Sequence, residues 1–103
     1  MPDPLKGHVD LLLLSALADG PAHGYRLVET IRERSGGEFE LAEGTLYPAL
    51  YRLERRGLVT SRWQVVGGRR RRVYRLTRRG RAALEEQRES WRSFAGAIEA
   101  VLR

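Results

Sequence analysis

The chain has 103 residues, no cysteine, two histidines and a net charge of +6, which bounds it to one domain with a modest core. Disulfides and thiolate metal sites are excluded, and His8 and His23 alone are too few for a protein-only zinc site, so neither metal nor cofactor is expected. The charge is strongly segregated: Arg52 to Arg81 holds twelve of the nineteen basic residues against one acid, Glu54, a local charge of +11.

Such polarity marks a surface for a polyanion, because neutralising phosphates releases condensed counterions. The plainer reading is a solvated basic loop, and the near-exclusive use of arginine has a compositional explanation in a GC-rich genome beside the chemical one of bidentate phosphate and guanine contacts. The longest apolar run, Val9 to Ala18 broken by Asp10 and Ser15, is far short of the roughly 20 residues that span a bilayer and lacks a signal-peptide leader, so a cytoplasmic protein off the membrane is expected.

From His8 to Ala18 the sequence is apolar almost all the way round a helix, which predicts cover on two sides. Asp19-Gly20-Pro21 is a turn, since glycine ends a helix and proline cannot continue it. A second, amphipathic helix is predicted from Ala22 to about Ser35, with Leu27, Val28 and Ile31 on its apolar side and Gly36-Gly37 as its stop. The third helix begins near Glu43 to Thr45 and runs to Arg56, with Leu46, Leu50 and Leu53 on one face. Pro48 lacks an amide hydrogen and is tolerated cheaply only in the first turn, which argues for Thr45 as N-cap; an earlier start would cost one backbone hydrogen bond. Thr45, Tyr47, Pro48, Tyr51, Arg52 and Arg55 then point outward, hydroxyls and guanidiniums where a soluble helix more usually carries Glu and Lys.

Leu58 to Val65 and Arg70 to Leu76 are rich in β-branched and aromatic residues and flank Gly67-Gly68, a pair suited to a two-residue hairpin. Trp63, on the first of these strands, is expected to be buried between the sheet and the neighbouring helix. Thr77 reads as the N-cap of a last helix, Arg78 to Leu102, in which Leu84, Gln87, Trp91, Phe94, Ile98 and Val101 recur at spacings of three and four. A helix of that length is about 38 Å long, longer than the rest of the chain is expected to cover, so its apolar stripe is expected to pack on a second copy of itself.

Helix, helix, short turn, helix and basic hairpin is the order of a winged helix-turn-helix, whose third helix enters the major groove while the wing follows the backbone. The fold class is thus mainly α with a small β-hairpin, residues 1–77 forming the winged helix-turn-helix domain and 78–103 a C-terminal dimerisation helix. The candidate DNA-binding residues are His23, Gly24 and Tyr25 at the start of the second helix, Thr45, Tyr47, Pro48, Tyr51 and Arg52 on the third, and Arg69, Arg70, Arg71 and Arg72 on the wing. Alternation along a strand lets only some of those four arginines face the duplex. Four of the candidates have a duller alternative: Tyr25 as core, His23 as a helix cap, Tyr47 and Tyr51 packed beneath the wing.

These segments also resemble the PadR-like transcriptional regulators. The resemblance runs through AHGYRLVETI, EGTLYPALYRLERRGLV and GGRRRRVYRLTRRGRAAL, covers roughly Leu11 to Leu84 without a large gap, and is specific, because GTLYPALYRLE followed by GGRRR and YRLT is not a general winged-helix pattern. It implies a dimeric cytoplasmic regulator, usually a repressor, binding a pseudo-palindromic operator on double-stranded DNA through the third helix and wing. The homodimer interface would comprise the C-terminal helix (Leu84, Trp91, Phe94, Ile98, Val101) with the first helix (Leu12). The single short C-terminal helix is similar to the compact branch of the family. Some members of that branch bind flat aromatic compounds between tryptophans at the dimer interface, where Trp91 would sit; a small aromatic effector there stands beside the reading of Trp91 as dimer packing.

An enzyme is disfavoured: no GxSxG, Walker-type loop or metal spacing occurs, and Glu85, Glu86 and Glu89 lie beside Arg88 and Arg92 as helix-surface ion pairs. A winged helix used as a protein-interaction module and a nonspecific architectural DNA binder remain as rivals.

Overall fold

The computed structural model describes Leu5 and residues 7–103. The elements are α1 (Val9–Leu17), β1 (Ala22–His23), α2 (Gly24–Arg34), α3 (Glu43–Arg55), β2 (Val59–Val66), β3 (Arg69–Leu76) and α4 (Arg78–Leu102). The strands form one antiparallel sheet in the order β1-β3-β2. The mainly helical fold with a small hairpin and a long last helix is thus the one expected, with three differences in local structure.

The first is β1. Ala22 and His23, assigned from sequence to the second helix, are extended and pair with Tyr74 and Val73 of β3, so α2 begins at Gly24. This short strand ties the start of α2 to the base of the wing. The second is the start of α3. Its N-cap is Ala42, without a side-chain hydrogen bond, so Thr45 is inside the first turn rather than at the cap and Pro48 lies inside the helix. Buried Leu41 pins the chain immediately before this start, and tertiary anchoring overrides the capping preference of Thr45. The third is Trp63, described below.

α1 contributes Leu13, Leu14 and Leu17 to the centre of the core, where they meet Leu27 of α2, Leu46, Leu50 and Leu53 of α3, and Leu84 of α4. α1 contacts all three other helices and β3, the multi-sided cover its composition calls for. The hairpin turn is made by Gly67 and Gly68, both at positive φ (58° and 77°), the conformation a two-residue turn of matching twist requires.

A knot of contacts sets where α4 leaves the body. The Thr77 hydroxyl donates to the Gly57 carbonyl at 2.6 Å and accepts the Gly80 amide at 3.0 Å, as the N-cap read from sequence. Gly80 packs so closely that a Cβ there would lie 1.9 Å from the Leu58 carbonyl oxygen, a backbone atom that cannot step aside. Only glycine permits this crossing of α4 over the end of α3.

Candidate nucleic-acid interface

α3 buries Leu46, Ala49, Leu50 and Leu53 and leaves Thr45, Tyr47, Pro48, Tyr51, Arg52 and Arg55 exposed. The burial of one stripe is what holds the other outward. The Arg55 guanidinium lies 5.8 Å from the centre of the Tyr51 ring, a placement that orders both without removing either from solvent. Arg52, a candidate DNA contact, is paired within the chain while still exposed: its Nη2 is 3.1 Å from Asp10 Oδ1, and Arg56 approaches the other oxygen of the same carboxylate at 3.8 Å. One acid of α1 thereby holds two arginines near the C-terminal end of α3.

At the start of α2, His23 is the cap: its Nδ1 accepts the Arg26 amide at 3.3 Å. Burial first, then the Arg71 guanidinium, hold its pKa below the ordinary value; Glu29 opposes them and Arg26 adds to them. Tyr25 is 62% exposed and lies nearly parallel to the His23 ring, centroids 6.4 Å apart, so its core reading is ruled out by its exposure. Gly24, a candidate contact by sequence, is buried. A Cβ there would come within 2.6 Å of the Tyr47 hydroxyl, so the glycine provides the space in which the Tyr47 ring lies and offers no side chain of its own.

On the wing, the register pairs Trp63 with Arg72, Val65 with Arg70, Gln64 with Arg71 and Val66 with Arg69. Directly opposed residues of an antiparallel pair share a face. Trp63, Arg70 and Arg72 therefore sit on one face and Arg69 and Arg71 on the other. Arg69 and Arg71 border a cleft of about 480 Å³ together with Tyr25, Tyr47, Val28, Leu41, Leu46 and Glu43; it opens between the starts of α2 and α3 and the wing. Trp63 is 53% exposed and not buried as its apolar character suggests, because the wing projects past the helices and only its base, Val59, Val73, Tyr74 and Leu76, is covered. Its ring instead carries two guanidiniums, Arg70 at 4.9 Å and Arg72 at 5.5 Å. Beneath it the Ser61 hydroxyl donates to Glu54 Oε2 at 2.8 Å and accepts Arg72 Nε at 2.8 Å. Burial, the largest cause, raises the pKa of nearby Tyr74, opposed by Arg72 and assisted by Glu54 and Tyr47.

An outward polar helix face, an arginine-rich wing and a capped helix start converging on one cleft is the arrangement of a winged-helix reader of nucleic acid. The Transcriptional regulator PadR-like family matches residues 13–86. The chain belongs to that family. The transcriptional regulator Rv3488 of Mycobacterium tuberculosis is 46% identical to it over 90 residues, 87% of this chain and 81% of that protein. A transcriptional regulator from Clostridium thermocellum superimposes with a TM-score of 0.89 at 30% identity, over 99% of this chain and 100% of that one. Bacillus subtilis PadR, solved in complex with operator DNA, gives a TM-score of 0.69 at 25% identity over 77% of this chain and 45% of that one. The chain is thus a transcriptional regulator of the PadR-like family and not an enzyme.

The last helix of this PadR-like regulator divides into two parts. Leu84, expected at a dimer interface, is 2% exposed and belongs to the chain's own core; the heptad pattern continues without a break from intramolecular packing into the outer seam. Beyond it Trp91, Phe94, Ile98, Val101 and also Leu102 are exposed, and Leu12 of α1 is half-buried. Trp91 meets His8 edge-on at 5.3 Å and Phe94 at 6.0 Å. Clefts of about 480 and 420 Å³ flank it, one reaching Asp10, Gln87 and Phe94, the other Leu12, Phe39 and Arg88. Among the described residues no helix is long and apolar enough to cross a membrane.

Sequence reasoning did not find Asp10, Glu54, Ser61 or Trp63 as partners of the candidate arginines. Trp63 was within reach, since a two-residue turn at Gly67-Gly68 already places it opposite Arg72. The Asp10 contacts come from the packing of α1 on α3 and the Glu54 contacts from the wing strands folding back beside α3, which no local pattern encodes.

Proposed function

We propose that this regulator is a cytoplasmic repressor that binds double-stranded DNA as a homodimer. In this reading residues 1–77 form the DNA-binding domain, with α3 in the major groove and the wing along the backbone, and residues 78–103 form the dimerisation helix. The observation that carries it is the cleft shared by Tyr25, Tyr47, Arg69 and Arg71, beside the outward Thr45, Pro48 and Tyr51: hydroxyls and guanidiniums suit both phosphates and base edges. The similarity to Bacillus subtilis PadR, solved with operator DNA, supports it. Two α3 helices related by a two-fold axis would read half-sites one duplex turn apart, or a multiple of it.

The first test is selection of a random duplex library on the purified protein at low and at physiological salt. Enrichment of an inverted repeat that survives the higher salt is the expected result. A salt-sensitive pool without a motif would instead indicate an architectural binder, and no retention would favour a protein-interaction module.

The second element of the proposal is an effector: a planar aromatic compound in the clefts beside Trp91 would relieve repression. Such a compound is expected to quench the fluorescence of Trp91, read in W63F where it is the one indole left, and to release the selected duplex from the wild-type protein over the same concentration range. Release without quenching would place the effector elsewhere.

A further inference from the structure

Within the basic stretch from Arg52 to Arg81 there is a single acid, Glu54, and it stands at the joint between α3 and the wing. Its Oε2 accepts the Ser61 hydroxyl at 2.8 Å; Ser61 in turn accepts Arg72 Nε at 2.8 Å; and Arg72 Nη2 is 4.0 Å from the same carboxylate oxygen. Arg72 then lies over Trp63, whose ring also carries Arg70. A continuous chain of contacts thus runs from the recognition helix, through the strand, to the outer part of the wing.

We propose that Glu54, Ser61, Arg72 and Trp63 form a brace that fixes the wing at one angle to α3 and presents Arg70, so that Arg72 is a positioning residue and Arg70 the DNA contact on that face. The inference rests on the DNA-binding reading and assigns different roles to arginines that sequence alone treats as equivalent. Three arguments support it. The Arg72 charge is offset by Glu54, so its approach to a phosphate would release little net counterion compared with an unpaired arginine. Guanidinium planes stack on an indole face with little loss of hydration, which orders the long Arg70 side chain while leaving its donors outward. Exposed ion pairs add little to stability, so the consequence of this one is expected in orientation: a wing held at a set angle places α3 and Arg70 on the duplex in a single register, and a wing free to swing does not.

The test measures affinity against salt for the selected operator and for a random duplex, with R70A, R72A, R72K, E54Q, S61A and S61T variants of the full chain. R70A is expected to flatten the salt dependence on both duplexes by about 0.9, one lost phosphate contact. R72A should leave the slope nearly unchanged and reduce the operator-to-random affinity ratio, and R72K, which keeps the charge but lacks the Nε donor, should behave the same way. E54Q should steepen the slope on random DNA by up to about 0.9, since it frees a cation, while also reducing discrimination. S61T keeps a hydroxyl in place and is expected to retain the discrimination that S61A loses.

A readout independent of DNA accompanies these: amide exchange across residues 62–72 should quicken in E54Q and S61A. Flattening by R72A equal to that by R70A would overturn the positioning role and make Arg72 a phosphate contact. Unchanged discrimination and unchanged exchange in E54Q would overturn the brace. Quickened exchange in a protein that binds no duplex would uphold the brace and overturn the DNA reading beneath it.

Discussion

His23 Nδ1 accepts the Arg26 amide, so the neutral ring carries its proton on Nε2, and a proton added at Nδ1 would replace that acceptor with a donor. The cap and the titration are therefore one event. Burial and Arg71, with Arg26 adding and Glu29 opposing, hold the pKa below 6.5, so the folded chain binds fewer protons at this site than the unfolded chain. Stability from this site is then complete above pH 6.5 and declines as pH falls from there through the folded pKa. Urea denaturation at fixed protein concentration, at pH 7.5 and at pH 5, measures it. H23N, which keeps a capping oxygen but does not titrate, is expected to lose less stability on the acid side than the wild type. H23A should be less stable by about 0.5 to 1 kcal/mol even at pH 7.5, the usual loss for a cap. Equal acid-side losses in wild type and H23N would assign the decline to other groups.

At the scale of elements, α3 carries an internal conflict. Its start at Glu43 makes Pro48 the sixth helical residue, so the Gly44 carbonyl receives no amide from it, and the ring crowds that carbonyl as well. Pro48 is exposed and so contributes little to the core in return. P48A is expected to raise the stability of the folded chain by about 1 kcal/mol or more, given the roughly 3 kcal/mol that proline costs in a helix interior. Thermal melting tests this, and a lower melting temperature in the variant would mean that the ring packs in a way its exposure conceals. If stability rises while operator preference changes, the proline serves the reading face at a cost to the helix.

The same helix shows what was legible in the sequence. Leu46, Leu50 and Leu53 fixed its buried face through their spacing, and the outward set followed from it. Its start at Glu43 falls within the expected Glu43 to Thr45, but the N-cap is Ala42 and not Thr45, because burial of Leu41 outweighed the local preference of Thr45. β1 has two residues, too few for a period, and its partners lie some fifty positions away in β3, so nothing local marks it. Trp63 was misplaced because an aromatic residue on a strand reads as core, whereas the wing extends past any helix that could cover it. Of the candidate residues, Tyr25, Tyr47, Arg69 and Arg71 share one cleft, while Arg70 and Arg72 lie on the other face of the wing. The pairing of Arg52 with Asp10 and of Arg72 with Glu54 was not legible, because the partners of those acids are chosen by tertiary packing.

For the molecule as a whole, the direction of α4 is decided at Gly80 and Thr77, where it crosses the end of α3. That crossing fixes the angle between the outer seam and the recognition helix, and so the separation of two recognition helices in a dimer built on the seam. The body measures 52 × 29 × 22 Å, and its long dimension agrees with a helix that outruns its own core. An exposed line of Trp91, Phe94, Ile98 and Val101 on one helix is the kind of apolar surface that soluble monomers rarely leave uncovered. Light scattering is expected to give twice the chain mass of 11.8 kDa for the wild type and the single mass for a variant carrying F94D and I98D, since two unpaired carboxylates would be buried at the seam. Both substitutions lie on exposed positions beyond Leu84, so the winged domain of the variant should stay folded, with an unchanged far-ultraviolet dichroism. Such a monomer keeps one complete reading surface and loses the link between two. It should bind an isolated half-site as the wild type does and lose the added affinity for the inverted repeat. A variant that remains dimeric would move the interface off α4; a monomer that still prefers the intact repeat would mean that pairing on the operator does not depend on this helix.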